Sequence, residues 1–224
     1  MPAHYAKNYA KNHASNYAVL TGDLVKSRAI KAEQYDSVLY QLEQLFASKA
    51  EAWALSYSFY RGDAFQVLLA KPQYGVQLAI SIRLTLLSLA QDCKISIGMG
   101  EVTNLRQDIK SASGPAFTLS GTGLDSLSGS QRLQIHCQQS ELQAVLAVPV
   151  RMADAMLASL TARQAEAVLL HLINPGMAHE AIAQKLGTSR ANVTKLLNNS
   201  HLDYQLLQAF LAYCEQHISR SILS

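Results

Sequence analysis

The sequence has little charge and no long hydrophobic run, and both shortages restrict the class of protein. Charged residues make up 16% of the 224 residues and leave a formal net charge of +3. A typical soluble domain has about 25% charged residues, so we expect neither a disordered chain nor a protein that coats nucleic acid by charge alone. The hydrophobic fraction of 49% is sufficient for a buried core. No apolar run approaches the roughly 18–20 residues that span a bilayer, which predicts no membrane partner.

Cysteine is scarce, and no apolar leader begins the chain. The three cysteines, Cys93, Cys137 and Cys214, lie far apart. An odd number at these spacings fits neither a disulfide framework nor a metal-ligand motif. The first residues also lack the apolar stretch of a secretory signal. We therefore expect free thiols in a reducing compartment and a cytoplasmic protein.

The hydrophobic pattern divides the chain into a tail and two domains. Residues 1–16 nearly repeat a Tyr-Ala-Lys-Asn unit without any period of large apolar residues, and we interpret them as a disordered tail. From Tyr17, alternating and helical spacings follow in the order β-α-β-β-α-β-α-β. The first six elements have the order of a ferredoxin-like, or palm, domain. The predicted fold class is therefore α+β, with the palm domain over residues 17–150.

A second, all-α domain is predicted for residues 151–224. From Met152 onward the hydrophobic spacing is helical throughout. The apolar stretch 144–150 before it contains Pro149, and we interpret that stretch as an exit segment between the two domains.

Residues 160–198 carry the pattern of a helix-turn-helix. A short helix over about residues 180–186 is followed by Gly187, which permits the positive φ of a tight turn. Ser189 can cap the next helix, and the small Ala183 lets the two helices approach closely. The segment resembles the helix-turn-helix of bacterial regulators and of sigma-factor C-terminal regions, including their Leu-Thr-x-Arg-Gln lead-in.

This resemblance implies that the outward side of the second helix faces the DNA major groove or its flanking phosphates. The side chains on that side are Ser189, Arg190, Thr194, Lys195 and Asn198. Only Arg190 and Lys195 are charged between residues 187 and 200. Because two cations give one copy weak DNA binding, a homodimer is implied. The alternative is an all-α packing module with the same spacing.

Two Gly-Asp pairs lie where a palm fold brings strand ends together. Asp23 ends the first strand, and Asp63 lies in the turn of the central hairpin beside it. Two carboxylates plus triphosphate oxygens are the ligands by which palm nucleotidyl transferases hold Mg²⁺. Lys26, Ser27 and Arg28 follow just before a helix and form a candidate phosphate-binding segment. The alternative is that both aspartates serve only turn and capping roles.

Four segments together resemble the SatD family: residues 22–28, 62–66, 97–101 and 114–116. Their order and spacing match that family, and a terminal helix-turn-helix is also a family feature. The resemblance covers roughly residues 17–137 and implies a fold like that of class III nucleotide cyclases and diguanylate cyclases. The family hairpin commonly reads Gly-Asp-Glu-Phe-Gln, whereas Ala64 stands here in place of the glutamate. This departure predicts little or no turnover, and Glu101 could replace the lost acid only if its loop folds inward.

The sequence therefore favours a DNA-binding transcriptional regulator whose palm domain senses a nucleotide, with Mg²⁺ as the candidate cofactor, or a protein partner. The second hypothesis is a Mg²⁺-dependent nucleotidyl transferase or cyclase whose helical domain serves assembly. The third is an interaction protein in which both sites are vestigial.

Overall fold

A computed structural model of the chain describes residues 16–60, 62–105, 108–198 and 203–223. The predicted tail lies outside these residues, except for Asn16, which begins the first strand. The strands are β1 (Asn16–Leu24), β2 (Leu55–Tyr60), β3 (Ala64–Leu69), β4 (Cys93–Glu101) and β5 (Leu133–Cys137). The helices are α1 (Ala32–Lys49), α2 (Gly75–Ser88), α3 (Pro115–Ser126), α4 (Ser140–Ala158), α5 (Ala162–Ile173), α6 (His179–Leu186), α7 (Arg190–Leu197) and α8 (Tyr204–Leu223).

The strands form one sheet in the order β2-β3-β1-β4-β5. Neighbouring strands are antiparallel except β4 and β5, which are parallel. The first four strands with α1 and α2 make the split β-α-β arrangement of the ferredoxin-like fold, and α3 is the crossover that adds β5. The predicted α+β palm fold is therefore confirmed by the strand order itself.

The two faces of the sheet are covered differently. Ala18 and Leu20 of β1 belong to the main core, which also contains buried residues of α1 and α2. On the opposite face, Tyr17 and Val19 belong to a smaller apolar cluster with Ala116 of α3. Because side chains alternate along a strand, Thr21 and Asp23 lie on this second face.

Helix α2 is buried on all sides between the sheet and α5. Its residues from Val76 to Leu86 are buried, apart from the partly exposed Gln77. A helix that is apolar all round requires cover on both sides, and here the second cover comes from the C-terminal helices. One continuous core consequently extends from the sheet into α5, α6, α7 and α8.

A buried ion-pair network fastens α2 to the elements around it. The Arg83 guanidinium, with no exposed side-chain surface, lies 2.8 Å from the Asp92 carboxylate and 2.7 Å from that of Asp154. Burial opposes the charge of Arg83, yet the hydrogen bond to Asp92 and the charges of both aspartates keep its pKa above its ordinary value. Asp154, on α4, also accepts hydrogen bonds from the Arg132 backbone N–H and the Arg151 guanidinium. The network thus joins α2, the start of β4, the start of β5 and α4.

The predicted exit segment 144–150 is wrong, because these residues lie within α4. The helix contains Pro149 and buries Leu142, Leu146, Val150, Ala153 and Leu157 along one side. Proline removes one helical hydrogen bond, and the burial of this side compensates for that loss. The predicted boundary between residues 150 and 151 lies inside the helix, and the division into two domains stays a prediction.

The cysteines are free thiols, as the sequence predicted. Burial raises the pKa of Cys137 and of Cys214 to about 12, and Cys93 is fully buried. Thiols held protonated in this way are poor nucleophiles. Within the described residues, no helix combines the length and apolar character needed to cross a membrane.

The buried network predicts an asymmetric response to mutation. Arg83→Met should lower the free energy of unfolding by about 3–5 kcal/mol, because it leaves buried carboxylate charge without its partner. Adding Asp154→Asn to this variant should recover part of the loss. Urea denaturation measures both changes. Glu166→Gln, which breaks the exposed pair with Arg163, is the control and should cost about 1 kcal/mol or less; an equally small loss for Arg83→Met would contradict the assignment.

Candidate functional site

Asp23 and Asp63 meet at one edge of the sheet. Asp23, near the end of β1, is paired across the strands with Ala64 of β3 and Lys94 of β4. The N–H of Leu24 donates to the carbonyl oxygen of Asp63 over 2.9 Å, which fixes the hairpin turn against the end of β1. The structure therefore brings the two predicted acids together, and their role as metal ligands stays a prediction.

The two carboxylates influence each other electrostatically. The pKa of Asp23 is raised, first by partial burial of its carboxyl group and then by the charge of Asp63. Lys94 and a hydrogen bond from the Leu24 N–H act in the opposite direction. Because burial and the Asp63 charge disfavour the charged form of Asp23, a bound cation would stabilise that form.

Ser27 and Tyr35 lie beside the turn that joins β2 and β3. The Ser27 hydroxyl donates to the Asp63 carboxylate over 2.8 Å. Gly62 has φ +87°, and a β-carbon there would lie 2.8 Å from the Tyr35 hydroxyl oxygen of α1. The turn thus needs glycine at position 62 for both its conformation and its space. The charge of Asp63 contributes, after burial, to raising the pKa of Tyr35.

The predicted phosphate-binding segment is a compact turn directly after β1. Lys26 adopts the left-handed conformation (φ 55°, ψ 35°), and residues Ser27–Ala29 form a 3₁₀ turn. None of the hydrogen bonds among the described residues uses the N–H of Lys26, Ser27 or Arg28. Consecutive free N–H groups around a left-handed residue make an anion-binding concavity, and the exposed side chains of Lys26 and Arg28 add positive charge.

The donor set at this edge fits Mg²⁺. Asp23, Asp63 and the Ser27 hydroxyl offer only oxygen, which is the donor that Mg²⁺ prefers, and Mg²⁺ is commonly held by one or two carboxylates plus substrate phosphates and water. The described residues contain no group of three or more His, Cys, Asp or Glu suited to a metal. Any metal here would therefore need further ligands from a bound molecule or from water.

Glu101 cannot replace the acid that Ala64 lacks. Glu101 is paired with Asn16, at the far end of β1 from Asp23. Seven residues of strand separate the two positions, roughly 23 Å at about 3.3 Å per residue. The loop that follows Glu101 pairs with Ser113 instead of folding toward the aspartates.

Gly22, the residue before Asp23, is required by the packing of the core. The Phe65 ring lies over it on the core face, and a β-carbon at Gly22 would come within 2.2 Å of that ring. The glycine before Asp23 therefore makes room for core packing, and it does not open the backbone to a ligand.

Several polar residues near the site were not predicted, because their placement depends on strand register. Tyr60, Ala64, Asp23 and Lys94 form one cross-strand row on the second face of the sheet. The next row along contains Ser58, Gln66, Thr21, Ser96 and Gln134. In the sequence, only the alternation of Lys94 and Ser96 with buried isoleucines indicates that these side chains leave the core.

The helix-turn-helix geometry lies in α6 and α7. Gly187 adopts the left-handed conformation (φ 59°, ψ 43°) and closes the C-terminus of α6. Thr161 and Gln164 of the lead-in form a reciprocal capping box at the start of α5. Arg163, between them, donates to the Leu186 carbonyl oxygen at the end of α6. The lead-in motif therefore positions the two-helix unit, and Val193 and Leu197 bury the inner side of α7.

The five predicted DNA-binding residues divide into two groups. Ser189 caps α7 by accepting from the Asn192 N–H. Thr194 bonds to His179 and to the Arg190 carbonyl oxygen, and the Asn198 amide donates to the Thr194 carbonyl oxygen. Arg190 and Lys195 are exposed, and no ion pair between described residues uses either. DNA contact by all five stays a prediction.

The strand order and the added fifth strand define a palm domain, which is joined to a helix-turn-helix. A family model described as the SatD family matches residues 17–211. The chain belongs to the SatD family. No curated protein matches the sequence.

Solved structures with a similar fold are nucleotide cyclase domains. The catalytic core of a rhodopsin-guanylyl cyclase with converted specificity, in complex with ATPalphaS, is 15% identical and has a TM-score of 0.45 over 59% of this chain and 82% of that one. The guanylate cyclase domain from Catenaria anguillulae, in complex with GTP, is 14% identical with the same TM-score and coverage. A dimeric guanylyl cyclase domain from the aquatic fungus Blastocladiella emersonii is 13% identical, with a TM-score of 0.43 over 55% and 79%. Because these TM-scores are below 0.5, the fold assignment rests on the strand order and not on these similarities.

The raised pKa of Asp23 predicts that neutralising this side chain stabilises the protein, by an amount that depends on pH. Folding favours the protonated carboxyl, so the contribution of Asp23 to stability falls as the pH rises through its pKa in the folded state. Asp23→Asn removes this loss. The variant without ligand should be more stable than the wild type at pH 7, and the difference should shrink as the pH approaches the ordinary aspartate value of about 3.9. Urea denaturation between pH 4 and pH 8 measures this, with Glu43→Gln on the exposed side of α1 as the control; a pH-independent difference would contradict the assignment.

Proposed function

We propose that the palm domain binds a nucleoside triphosphate together with Mg²⁺ at the edge formed by Asp23, Asp63 and the turn over residues 26–28. The observation that carries this proposal is the placement of two mutually repelling carboxylates beside three backbone N–H groups that bond to none of the described residues. The first feature is suited to a cation and the second to an anion. A magnesium-bound triphosphate supplies both charges at once.

Each group has a distinct part in this proposal. Asp23 and Asp63 would hold the metal, which when bound neutralises phosphate charge. The N–H groups of Lys26, Ser27 and Arg28 would donate to phosphate oxygens, and the side chains of Lys26 and Arg28 would add charge-assisted contacts. Ser27 fixes the Asp63 carboxylate through its hydroxyl, so it would act as a positioning residue for the metal ligand.

Binding with little turnover is the form of this function that the residues support best. Ala64 is paired with Asp23 on the same face of the sheet, so a glutamate at position 64 would add a third acid beside the pair. Its absence leaves no further carboxylate in this row to take part in proton transfer or in holding a second cation. A Mg²⁺-dependent nucleotidyl transferase or cyclase is the alternative, and release of pyrophosphate from a nucleoside triphosphate would establish it.

Nucleotide binding should stabilise the fold in a metal-dependent manner. At a ligand concentration one hundred times the dissociation constant, the gain is about 2.7 kcal/mol. Mg²⁺ or Mn²⁺ with ATP or GTP should therefore raise the midpoint of thermal unfolding of the wild type. Asp23→Asn and Asp63→Asn should each abolish this rise, because each removes one of the two carboxylates that would hold the metal.

Glu43→Gln removes one carboxylate charge from α1 and should leave the rise intact. A wild type that shows no metal-dependent rise with any common nucleotide would refute the proposed function. The palm domain would then have to recognise a protein partner.

DNA binding by α7 is a second candidate function. It is favoured by the exposed cations Arg190 and Lys195, which form no ion pair with a described residue, and by the left-handed Gly187 turn before them. With the nucleotide site, it would make the chain a nucleotide-responsive transcriptional regulator. One copy offers few phosphate contacts, so this function includes a homodimer that spans two half-sites. Light scattering at micromolar concentration, with and without DNA, tests the dimer, and a monomer in both cases would contradict it.

The Arg190→Ala/Lys195→Ala double variant should bind DNA more weakly. Each lost phosphate contact lowers the slope of log K against log salt by about 0.9, so the slope should fall by up to about 1.8. Fluorescence anisotropy over a salt series measures it. Lys31→Ala/Arg220→Ala removes the same charge elsewhere and is the control; an unchanged slope in the α7 variant would exclude this contact.

A further inference from the structure

The face of the sheet that carries Asp23 has a second polar row beside the proposed triphosphate site. Gln66 and Thr21 lie opposite each other in this row, two residues along their strands from Ala64 and Asp23. The two rows are therefore about 6.6 Å apart. Gln66, Thr21 and Ser58 are each only partly buried, so this row is open on the side of β2 and β3.

A chain of hydrogen bonds fixes the orientation of the Gln66 amide. The Tyr60 hydroxyl donates to Gln66 Oε1 over 3.0 Å, and Gln66 Nε2 donates to Thr21 Oγ1 over 3.3 Å. Thr21 Oγ1 lies 2.8 Å from Ser120 Oγ.

The far end of this chain determines its direction. The Ser120 hydroxyl donates to the Phe117 carbonyl oxygen over 3.0 Å, so its single hydrogen is already used. Thr21 must then donate to Ser120 and accept from Gln66. Because Ser120 is fully buried in α3, the chain is anchored in the packed part of the fold.

The fixed amide retains half of its hydrogen-bonding capacity. An amide has two N–H donors and two acceptor lone pairs, and the chain uses one of each. One N–H and one lone pair are therefore used by no described residue, and both remain available to a ligand. A nucleobase edge with a donor next to an acceptor pairs with such an amide through two hydrogen bonds, as adenine does with glutamine in DNA recognition.

We infer that Gln66 is the specificity-determining residue that pairs with the base of the bound nucleotide, with Thr21 as its positioning residue. This inference rests on the proposed triphosphate site, since the phosphates in the first row would place the nucleoside over the second. Ala64, between Asp23 and Tyr60, has the smallest side chain in the first row. Lys110, with its ammonium 5.3 Å from the centre of the Tyr60 ring, borders the same side.

Inorganic tripolyphosphate, which lacks a nucleoside, distinguishes binding of the phosphates from binding of the base. Dissociation constants are measured from thermal-shift titrations with Mg²⁺ and either tripolyphosphate, ATP, GTP, CTP or UTP, each relative to the same variant without ligand. We expect the wild type to bind tripolyphosphate, and to bind its preferred nucleotide about tenfold or more tightly than tripolyphosphate, the gain of a good bidentate base contact.

Gln66→Leu should remove this tenfold advantage and leave tripolyphosphate binding unchanged. Thr21→Val removes the acceptor that orients the amide, so the preference among the four nucleotides should narrow while tripolyphosphate binding persists. Gln134→Leu is the matched control, because Gln134 lies in the same row but bonds to Gly123 and Ser126 of α3. That variant should keep both the advantage and the preference.

Four results would overturn the inference. An unchanged nucleotide advantage in Gln66→Leu would exclude contact with the base. Equal weakening of tripolyphosphate and nucleotide would place Gln66 in the metal and phosphate site instead. A wild type that binds tripolyphosphate but gains nothing from any nucleoside would retain the proposed function and refute this inference alone, whereas a wild type that binds neither would refute both.

Discussion

The burial of α2 on both sides is the constraint on which the rest of the architecture depends. An apolar helix with the sheet on one side needs a second cover, and α5 with its neighbouring helices supplies it. Arg83 makes this packing specific, because its buried charge is stable only where Asp92 and Asp154 both reach it. The helix-turn-helix is consequently attached to the palm through a shared core.

The same network extends to the edge that carries the candidate site. The carbonyl oxygen of Asp92 accepts a hydrogen bond from the Val25 N–H, immediately before the turn with the unused N–H groups. The polarity of the side chains on the second face of the sheet changes from row to row. Acids and Lys94 lie at this edge, hydroxyls and amides lie in the next row, and apolar side chains lie under α3. Such an arrangement suits a ligand with a charged end and a polar, partly apolar body.

Much of the fold could be predicted, because strands and helices leave periodic patterns in the sequence. The order of the first eight elements and the turn at Gly187 followed from alternation, helical spacing and turn residues. Residues 144–150 were misassigned because a proline usually ends a helix, and the burial that keeps α4 intact lies in distant parts of the chain. The buried charge of Arg83 carries no local signal either, since its partners are Asp92 and a residue of another helix.

For the candidate site, the sequence by itself determined the chemistry available: two Gly-Asp pairs, a basic segment after the first, and an alanine at the expected position of a third acid. The predicted topology already placed Asp23 beside Asp63, whereas tertiary structure alone decided which other side chains lie next to them. Strand register placed Lys94 beside Asp23 and Glu101 at the opposite end of β1, and it aligned Gln66 with Thr21. Register depends on pairing between segments far apart in the chain, and the period of two that marks a strand is the same for every register.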